Sequence, residues 1–347
     1  MSALYASRLS EYPNKGVVGL PEIYDTHRAL TVKINRLVKE VREATHIVIL
    51  TGAGISTSSG IPDFRGPNGF WTKEKLENQQ QQKKSTKSST SLSPHTKRKR
   101  SATVISSSNS NSNSNNSSSL SEQKSTLNDS FTFADASPTL THCAITKLIF
   151  DGKVKYCITQ NVDGLHRRSG LSRNHHSAVH GCVFTEKCAR SDCGCELFGD
   201  VEVDGLSFQK TGNKCEECVD GGDLRDTLLD WEDPILDMER VSIECQKADL
   251  MLCLGTSLRI EPVGSLPLMA KKFILVNLQA TPLDDKAAFV IRAKVDDVIS
   301  RLMSAIGYKH NWYKELSPSI ERKWKPTAVQ NEDWAYMIET ESLESNK

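Results

Sequence analysis

The sequence predicts an α/β fold in which a parallel sheet is covered on both faces by helices and carries a small inserted zinc-binding module. Four short, mostly apolar runs alternate with helical patterns, and each run ends in polar or glycine-containing residues. This arrangement is typical of buried parallel strands. Five cysteines fall between positions 188 and 218, a density that indicates a compact metal site. Ligands of such sheets bind at the carboxyl ends of the strands, so the loops that follow the strands are the candidate functional segments.

The predicted elements follow one another in regular alternation. Apolar residues at helical spacing predict a first helix over residues 25–43. Ser137 and Pro138 suit the N-cap and the first turn of a second helix. The predicted strands are 46–51, Val154–Thr159, Asp249–Leu254 and Phe273–Leu278. The last predicted helix covers about 296–306.

Composition divides the chain into three parts and one insertion. Residues 1–45 form an N-terminal extension with the first helix, 46–310 the main domain, and 311–347 a flexible tail. From about 77 to 130 the chain is mostly Gln, Lys, Ser and Asn. Such a segment buries too little apolar surface to offset its ordering entropy, so we predict a disordered insertion. Its cluster Lys97-Arg-Lys-Arg100 is either a solvated charge run or a nuclear localisation signal.

Charge and hydropathy exclude some classes of partner. The net charge of +1 over 347 residues gives no global argument for nucleic acid or membrane binding. No run of about 18 apolar residues exists, so no membrane span is predicted. The N-terminus lacks the pattern of a secretory signal, so we expect a reducing compartment and cysteines that are thiols or metal ligands.

A glycine turn after the first strand is the first candidate binding loop. Gly52-Ala53-Gly54-Ile55-Ser56-Thr57 fits only part of the dinucleotide fingerprint, because Thr57 replaces the third glycine and the distant acidic residue is missing. A plain structural turn therefore remains an alternative. The next loop, Asp63-Phe64-Arg65-Gly66, offers a guanidinium for phosphate or ribose oxygens and an aromatic ring that can cover a flat ligand. The alternative for this loop is a packed segment with a surface ion pair.

Three further loops carry polar or small residues at strand ends. The segment Gln160-Asn161-Val162-Asp163-Gly164-Leu165-His166 brings two amides and a carboxylate together, groups that recognise a carboxamide and ribose hydroxyls. Gly255-Thr256-Ser257 suits close backbone approach to phosphate. Asn277 and Gln279 end the last predicted strand, where an adenosine ribose can be read.

The cysteine spacing predicts a zinc site and leaves one ligand open. Cys215 and Cys218 have the spacing of a zinc knuckle, and a second pair about 20 residues away completes a tetrahedral thiolate site. Within that second pair, either Cys193 or Cys195 is the partner of Cys188. Four thiolates fill the coordination sphere, so the predicted role of the ion is structural.

Taken together, these motifs resemble one family. "GAGIS", "GIPDFRG", "TQNVDGLH", "HG" at His180-Gly181, the cysteine module, "GTSL" and "VNLQ" occur in the order found in sirtuins, the NAD-dependent protein deacylases. The resemblance covers about residues 1–310 apart from the insertion. "KGVVGLPEIYD", "GPNGFWT" and "LRDTLLDWED" are most similar to the nuclear sirtuin 6 subfamily. There an Asp follows the second zinc ligand by seven residues, as Asp200 follows Cys193, and this favours Cys193 over Cys195.

The resemblance implies a role for individual residues. It implies a Rossmann-like domain and a zinc module with a cleft between them, in which His180 is the catalytic base. The ordinary pKa of an imidazole, near neutrality, suits that role. Asn161 and Asp163 are implied to hold the nicotinamide end of NAD, and Trp231 to border the acyl-lysine channel. His175 and His176 are expected to be exposed and without a role. Gly52 and Gly54 of the glycine turn and Asp63 of the next loop join the NAD contacts that the resemblance implies. The full predicted NAD-binding set is Gly52, Ala53, Gly54, Thr57, Asp63, Phe64, Arg65, Trp71, Gln160, Gly255, Ser257, Asn277, Gln279 and Val295.

The implied activity is NAD-dependent deacylation of protein lysines, acetyl and also long-chain, on histone or other nuclear protein tails. The implied products are nicotinamide, free lysine and O-acyl-ADP-ribose, with a role in chromatin and a location in the nucleus. Two alternatives remain open: protein mono-ADP-ribosyl transfer on the same fold, and a non-catalytic module that binds chromatin.

Overall fold

The computed structural model describes residues 2–12, 15–88, 132–218, 220–316 and 319–326. The chain divides into two compact units, Met1–Glu74 with Thr132–Lys347, and Lys75–Phe131. The helices are α1 (Ser2–Arg8), α2 (His27–Glu43), α3 (Phe70–Ser88), α4 (Leu140–Phe150), α5 (Leu165–Arg168), α6 (Met238–Lys247) and α7 (Val295–Ala305). The strands are β1 (Ile47–Thr51), β2 (Val154–Thr159), β3 (His176–Ala178), β4 (Thr185–Cys188), β5 (Glu196–Phe198), β6 (Lys210–Lys214), β7 (Asp223–Asp226), β8 (Leu250–Leu254), β9 (Phe273–Val276), β10 (Val290–Ile291) and β11 (Lys323–Trp324).

A six-stranded parallel sheet forms the centre of the larger unit. Its strand order is β10-β9-β8-β1-β2-β3, and every neighbouring pair is parallel. The four predicted strands are β1, β2, β8 and β9, which occupy the middle of the sheet. The edge strands β3 and β10 were not predicted, because two or three residues carry too little periodicity. The predicted α/β class is confirmed.

The sheet has an apolar core on each face, because side chains alternate along its buried strands. On β1, Ile47 and Ile49 pack into one core with α2, α4 and α7. Val48 and Leu50 point to the opposite core, which α6 covers. All five residues of β1 are buried, so the strand reads as a continuous apolar run.

The N-cap of helix α4 lies two residues later than the predicted N-cap at Ser137. Thr139 is the N-cap, and its side chain accepts a hydrogen bond from the backbone N–H of His142. The His142 ring in turn accepts from the Thr139 backbone N–H at 3.2 Å, which makes a reciprocal capping pair. Pro138 therefore lies just outside the helix rather than in its first turn.

A second sheet forms the cysteine-rich module, with antiparallel order β11-β5-β4-β7-β6. One of its two edge strands, β11, comes from the segment predicted as a flexible tail, so that prediction is wrong for Lys323 and Trp324. Trp324 is 5% exposed, its ring lies 4.5 Å from the guanidinium carbon of Arg173, and its Nε1 donates to Asn174 Oδ1 at 3.0 Å. Residues 327–347 lie outside the described residues.

The predicted insertion is only partly described. Helix α3 continues to Ser88, past position 77 where the insertion was expected to begin, because Glu, Gln and Lys are good helix formers. Residues 89–131, including the basic cluster Lys97–Arg100, lie outside the described residues. Within the described ranges, no helix has the length and apolar character needed to cross a membrane.

Candidate active site and metal centre

A cavity lies at the carboxyl ends of β1, β2, β8 and β9, where such sheets bind ligands. The structure brings most of the predicted site residues to its wall. The predicted residues lining it are Gly52, Ala53, Gly54, Asp63, Phe64, Arg65, Trp71, Gln160, Asn161, His180, Trp231, Gly255, Ser257, Asn277 and Gln279.

The glycine turn packs directly against the loop after β8. The Gly54 N–H donates to the Gly255 carbonyl at 2.9 Å. A Cβ at Gly54 would lie 2.8 Å from the Gly255 Cα, and a Cβ at Gly52 2.8 Å from the Gly255 oxygen. Gly255 itself has φ +60°, which favours glycine. These glycines therefore allow two backbone loops to meet at the cavity.

The loop from Asp63 to Trp71 is held by main-chain contacts and ring stacking. The Asp63 carboxylate accepts from the Gly66 N–H at 2.8 Å. The Arg65 guanidinium donates to the Lys15 carbonyl at 3.0 and 3.1 Å and lies 4.4 Å from the centre of the Trp71 ring. Burial lowers the pKa of Arg65 to about 10, helped by the neighbouring Arg259. Arg65 stays charged at neutral pH and lines the cavity.

The loop after β2 places its amides on the glycine turn. Asn161 Nδ2 donates to the Gly52 carbonyl at 3.1 Å and to Ser56 Oγ at 3.2 Å. Its Oδ1 atom is thereby left to accept from a ligand. Gln160 Nε2 donates to Thr256 Oγ1 at 2.8 Å. The side chains of this loop thus connect the loops after β1 and β8.

Asp163 takes a different position from the other predicted residues. It lines a smaller adjoining cavity, which shares Asn161 with the main one. Its carboxylate accepts from Ser56 Oγ at 2.7 Å and from the Leu165 N–H at 3.0 Å, and burial raises its pKa. Asp163 therefore orients Ser56, which in turn holds Asn161. Ser56 was not predicted as a site residue, although it lies within the "GAGIS" motif.

His180 lines the main cavity, and its two ring nitrogens have different surroundings. Its Nδ1 lies 3.2 Å from the Gln160 carbonyl, a contact that requires a proton on Nδ1. Its Nε2 is covered and has no hydrogen-bond partner within the described part of the chain. Burial lowers the pKa of His180 to about 4, and the charge of Arg65 acts in the same direction. At neutral pH the ring is therefore uncharged, with Nε2 as acceptor.

The cavity has an apolar end beside His180. Trp231 lies 5.5 Å from Trp71 and is stacked on Tyr12 at 4.6 Å between ring centres. Tyr5 and Leu9 also line the cavity, and sequence reasoning missed them. No motif marks these two residues, and they reach the site only because the N-terminal segment folds over it.

A third cavity shares part of its wall with the first. It contains predicted residues of the adenosine side. Thr57 and Val295 line it together with residues shared by both cavities, Gly54, Asn277 and Gln279. Asn277 Nδ2 donates to the Gln279 carbonyl at 2.8 Å. All fourteen predicted NAD-binding residues therefore line one or both of these cavities.

The expectation for His176 is wrong. His175 is exposed as expected, but His176 is 3% exposed because it belongs to β3, which pairs with β2. Its ring lies 5.3 Å from the ring of His166, which in turn lies 4.6 Å from that of His142. We refer to His142, His166 and His176 as the histidine cluster.

Four cysteine sulfurs come together in the second sheet. The Sγ atoms of Cys188, Cys193, Cys215 and Cys218 all lie within 4.8 Å of one another; Cys188 and Cys218 are 3.4 Å apart, and Cys193 and Cys215 are 3.8 Å apart. Four thiolates around one Zn²⁺ at about 2.3 Å have sulfurs spaced in this way. Cys195 is not in this group, and its Sγ contacts the Glu196 carbonyl at 3.8 Å. The cluster can hold one zinc ion with no position left for a substrate.

A parallel α/β sheet with a ligand cavity at its strand ends is the architecture of nucleotide-binding α/β proteins, and this chain adds a four-cysteine cluster that can hold a structural metal ion. The Sir2 family model matches residues 52–125 and 95–262. NAD-dependent protein deacetylase Sirt6 of Drosophila melanogaster is 35% identical over 330 residues, covering 91% of this chain and 89% of that protein. The chain belongs to the Sir2 family.

Other relatives are longer than this chain. NAD-dependent protein deacetylase SRT1 of Oryza sativa subsp. indica is 40% identical over 309 residues, which are 87% of this chain and 54% of that protein. The chain thus spans about half the length of the SRT1 relatives it matches. Among solved structures, an ADP-ribose complex of a Sir2 homologue is similar with a TM-score of 0.51 and 26% identity, covering 82% of this chain and 99% of that one.

Proposed function

We propose that the protein is an NAD-dependent protein-lysine deacylase that acts on acylated protein tails and releases nicotinamide and O-acyl-ADP-ribose. Membership of the Sir2 family supports the reaction class, and the relatives are named NAD-dependent protein deacetylases. The four-cysteine cluster holds a structural zinc ion in this proposal.

One observation carries the proposal: His180 lines the cavity that the predicted NAD loops line, and its buried Nε2 has no partner among the described residues. A buried polar atom without a partner is costly. A ligand that places a hydroxyl against it removes that cost. When bound, NAD would supply such a hydroxyl from its ribose, together with the ribose carbon at which an acyl oxygen can displace nicotinamide.

The residues of the chain then have distinct tasks. His180, neutral at physiological pH, accepts the hydroxyl proton at Nε2 while its Nδ1–H stays on the Gln160 carbonyl. Asn161 offers Oδ1 to the carboxamide of nicotinamide, and Asp163 keeps Ser56 and Asn161 in place. Arg65 neutralises phosphate charge while packed on Trp71.

The apolar end of the cavity supports an acylated lysine as substrate. Tyr5, Leu9, Leu229, Trp231 and Ile235 line it beside His180, and such a surface favours the methylenes of a lysine and its acyl group. Histone tails as substrates, a role in chromatin and a nuclear location rest on the sequence resemblance, and the cluster Lys97–Arg100 supports the nuclear location.

The test is an assay with NAD and histone H3 peptides that carry acetyl or longer acyl groups on one lysine, with products identified by mass. We expect free lysine and O-acyl-ADP-ribose in equal amounts. His180→Tyr should abolish both products. His310→Tyr, a change at an exposed histidine, should leave the rate unchanged.

Two other results would replace the proposal. ADP-ribose attached to protein, without O-acyl-ADP-ribose, would assign mono-ADP-ribosyl transfer. No NAD consumption, with chromatin association unchanged in His180→Tyr, would assign a non-catalytic chromatin-binding module.

A further inference from the structure

The apolar end of the main cavity has a second layer of side chains behind it. Leu229 lines the cavity and is tied to the catalytic histidine, since its N–H donates to the His180 carbonyl at 3.3 Å. Phe208, which is 1% exposed, packs with Leu229, and the half-buried Ile235 packs against this pair. Among the described residues, Phe208 is not one of those that line the cavity. Its ring therefore supports the wall from outside the cavity.

Phe208 is held there by an uncommon backbone. Ser207 and Phe208 have φ values of +60° and +61°, in the left-handed region that costs non-glycine residues about 1 kcal/mol or more each. Such conformations persist only where surrounding contacts fix them. Two successive left-handed residues with a fully buried aromatic ring indicate that the position of this ring matters.

Three hydrogen bonds supply the fixing contacts. The Ser207 N–H donates to the Leu228 carbonyl at 2.8 Å, and Ser207 Oγ donates to Asp233 Oδ2 at 2.7 Å. The same Asp233 oxygen accepts from the Asp230 N–H at 2.6 Å. The segment that carries Phe208 is thus joined to the 228–233 segment that forms the cavity wall.

A rigid ring behind two aliphatic wall residues limits how far they can move away from the cavity. Interiors are packed closely, so Leu229 and Ile235 can retreat only if the space that Phe208 fills becomes free. We propose that Phe208 determines the depth of the acyl-binding end of the cavity and thereby the length of the acyl group that the enzyme accepts. This inference rests on the proposed deacylase function.

The experiment compares kcat/KM for one histone H3 peptide acylated on the same lysine with acetyl or decanoyl, in the presence of NAD. Phe208→Ala frees the space behind the wall, so we expect its decanoyl-to-acetyl ratio of kcat/KM to rise about tenfold or more over that of the wild type, the range in which apolar pockets discriminate chain length. Phe208→Leu keeps part of the volume and should shift the ratio in the same direction by less.

A matched control separates specificity from stability. Phe198 is also a buried phenylalanine of this module, at 3% exposure, but it packs on Phe184. Phe198→Ala should lower the unfolding temperature comparably without raising the ratio. If Phe208→Ala does not fold, Phe208→Leu decides.

Each result has one meaning. A ratio that is unchanged or falls in the folded Phe208 variants, or that rises equally in Phe198→Ala, overturns the inference and leaves the deacylase function intact. A wild type that removes neither acyl group overturns the proposed function itself, and the inference falls with it.

Discussion

The imidazole of His180 is oriented by a main-chain carbonyl rather than by a carboxylate. The Gln160 oxygen accepts from Nδ1, and burial keeps the ring neutral down to a pKa of about 4. A neutral ring is ready to accept a proton at any physiological pH. A low pKa also means a weak base, so in the proposed reaction the strength of His180 as a base depends on ligand groups that lie next to it once the cavity is filled.

At the level of single residues, the structure predicts which cysteines bind zinc. Cys193→Ser removes one of the four clustered sulfurs, so we expect loss of zinc and of the folded module, since metal binding and folding are coupled. Cys195→Ser should retain zinc, because Cys195 is not one of the four clustered sulfurs; its Sγ donates to the Glu196 carbonyl, and a serine hydroxyl can donate to the same oxygen. The measurement is zinc per chain by atomic absorption, together with the unfolding temperature.

The reverse pattern, with zinc lost from Cys195→Ser and retained by Cys193→Ser, would show that the ligand set is wrong. Equal loss in both variants would also contradict it.

At the level of elements, the loops that carry motifs could be predicted and the wall beside His180 could not. The loops after β1, β2, β8 and β9 follow apolar runs, and parallel topology brings their ends together. The N-terminal segment carries no such signal. Tyr5 Oη donates to the Leu229 carbonyl at 2.9 Å across 224 positions of sequence, a contact that only the tertiary fold creates. Phe208 is in the same situation, because its left-handed backbone has no sequence signature outside glycine and asparagine.

We call segment 319–326 the C-terminal strap. At the level of elements, its contribution to the free energy of unfolding can be tested directly. Trp324 is buried, packs on Arg173 and donates a hydrogen bond to Asn174. Strand β11 pairs with β5 of the cysteine-rich module. Trp324→Ala should therefore lower the free energy of unfolding by about 3 kcal/mol, the usual cost of removing a buried large aromatic side chain. Urea denaturation of the full chain measures it.

The control for this variant is Tyr313→Ala, because Tyr313 is 40% exposed; its change should stay near 0.5 kcal/mol. If the two variants lose the same stability, the strap contributes nothing specific to the folded state.

For the whole molecule, the buried histidines predict that the free energy of unfolding decreases at acidic pH. Burial lowers the pKa of His142 to about 3 and that of His180 to about 4, and the pKa values of His166 and His176 are lowered as well. In the unfolded chain these groups titrate near 6.5. Between about pH 6.5 and 4 the unfolded state therefore binds more protons. These histidines therefore do not reduce the free energy of unfolding above pH 6.5. Below that pH the free energy of unfolding falls, by up to about 1.4 kcal/mol per pH unit for each such histidine.

The measurement is the free energy of unfolding by urea at pH 7, 6 and 5 with zinc present. His142→Asn keeps an acceptor for Thr139 and removes one titrating ring, so its slope with pH should be shallower than that of the wild type. His310→Asn, at an exposed position, should leave the slope unchanged. Identical slopes in all three proteins would show that the histidine cluster does not govern the acid response.

The C-terminal strap also covers a strand edge that could otherwise pair with another copy of the chain. β11 occupies the outer side of β5, where the Phe198 N–H donates to the Arg322 carbonyl at 2.8 Å. Without it, β5 becomes an open edge strand whose free main-chain groups pair readily with another chain. A short two-residue strand at the end of a separate segment is the kind of element that neighbouring molecules exchange. Shortened forms that lack the strap should therefore self-associate as concentration rises, and an added strap peptide should reverse it.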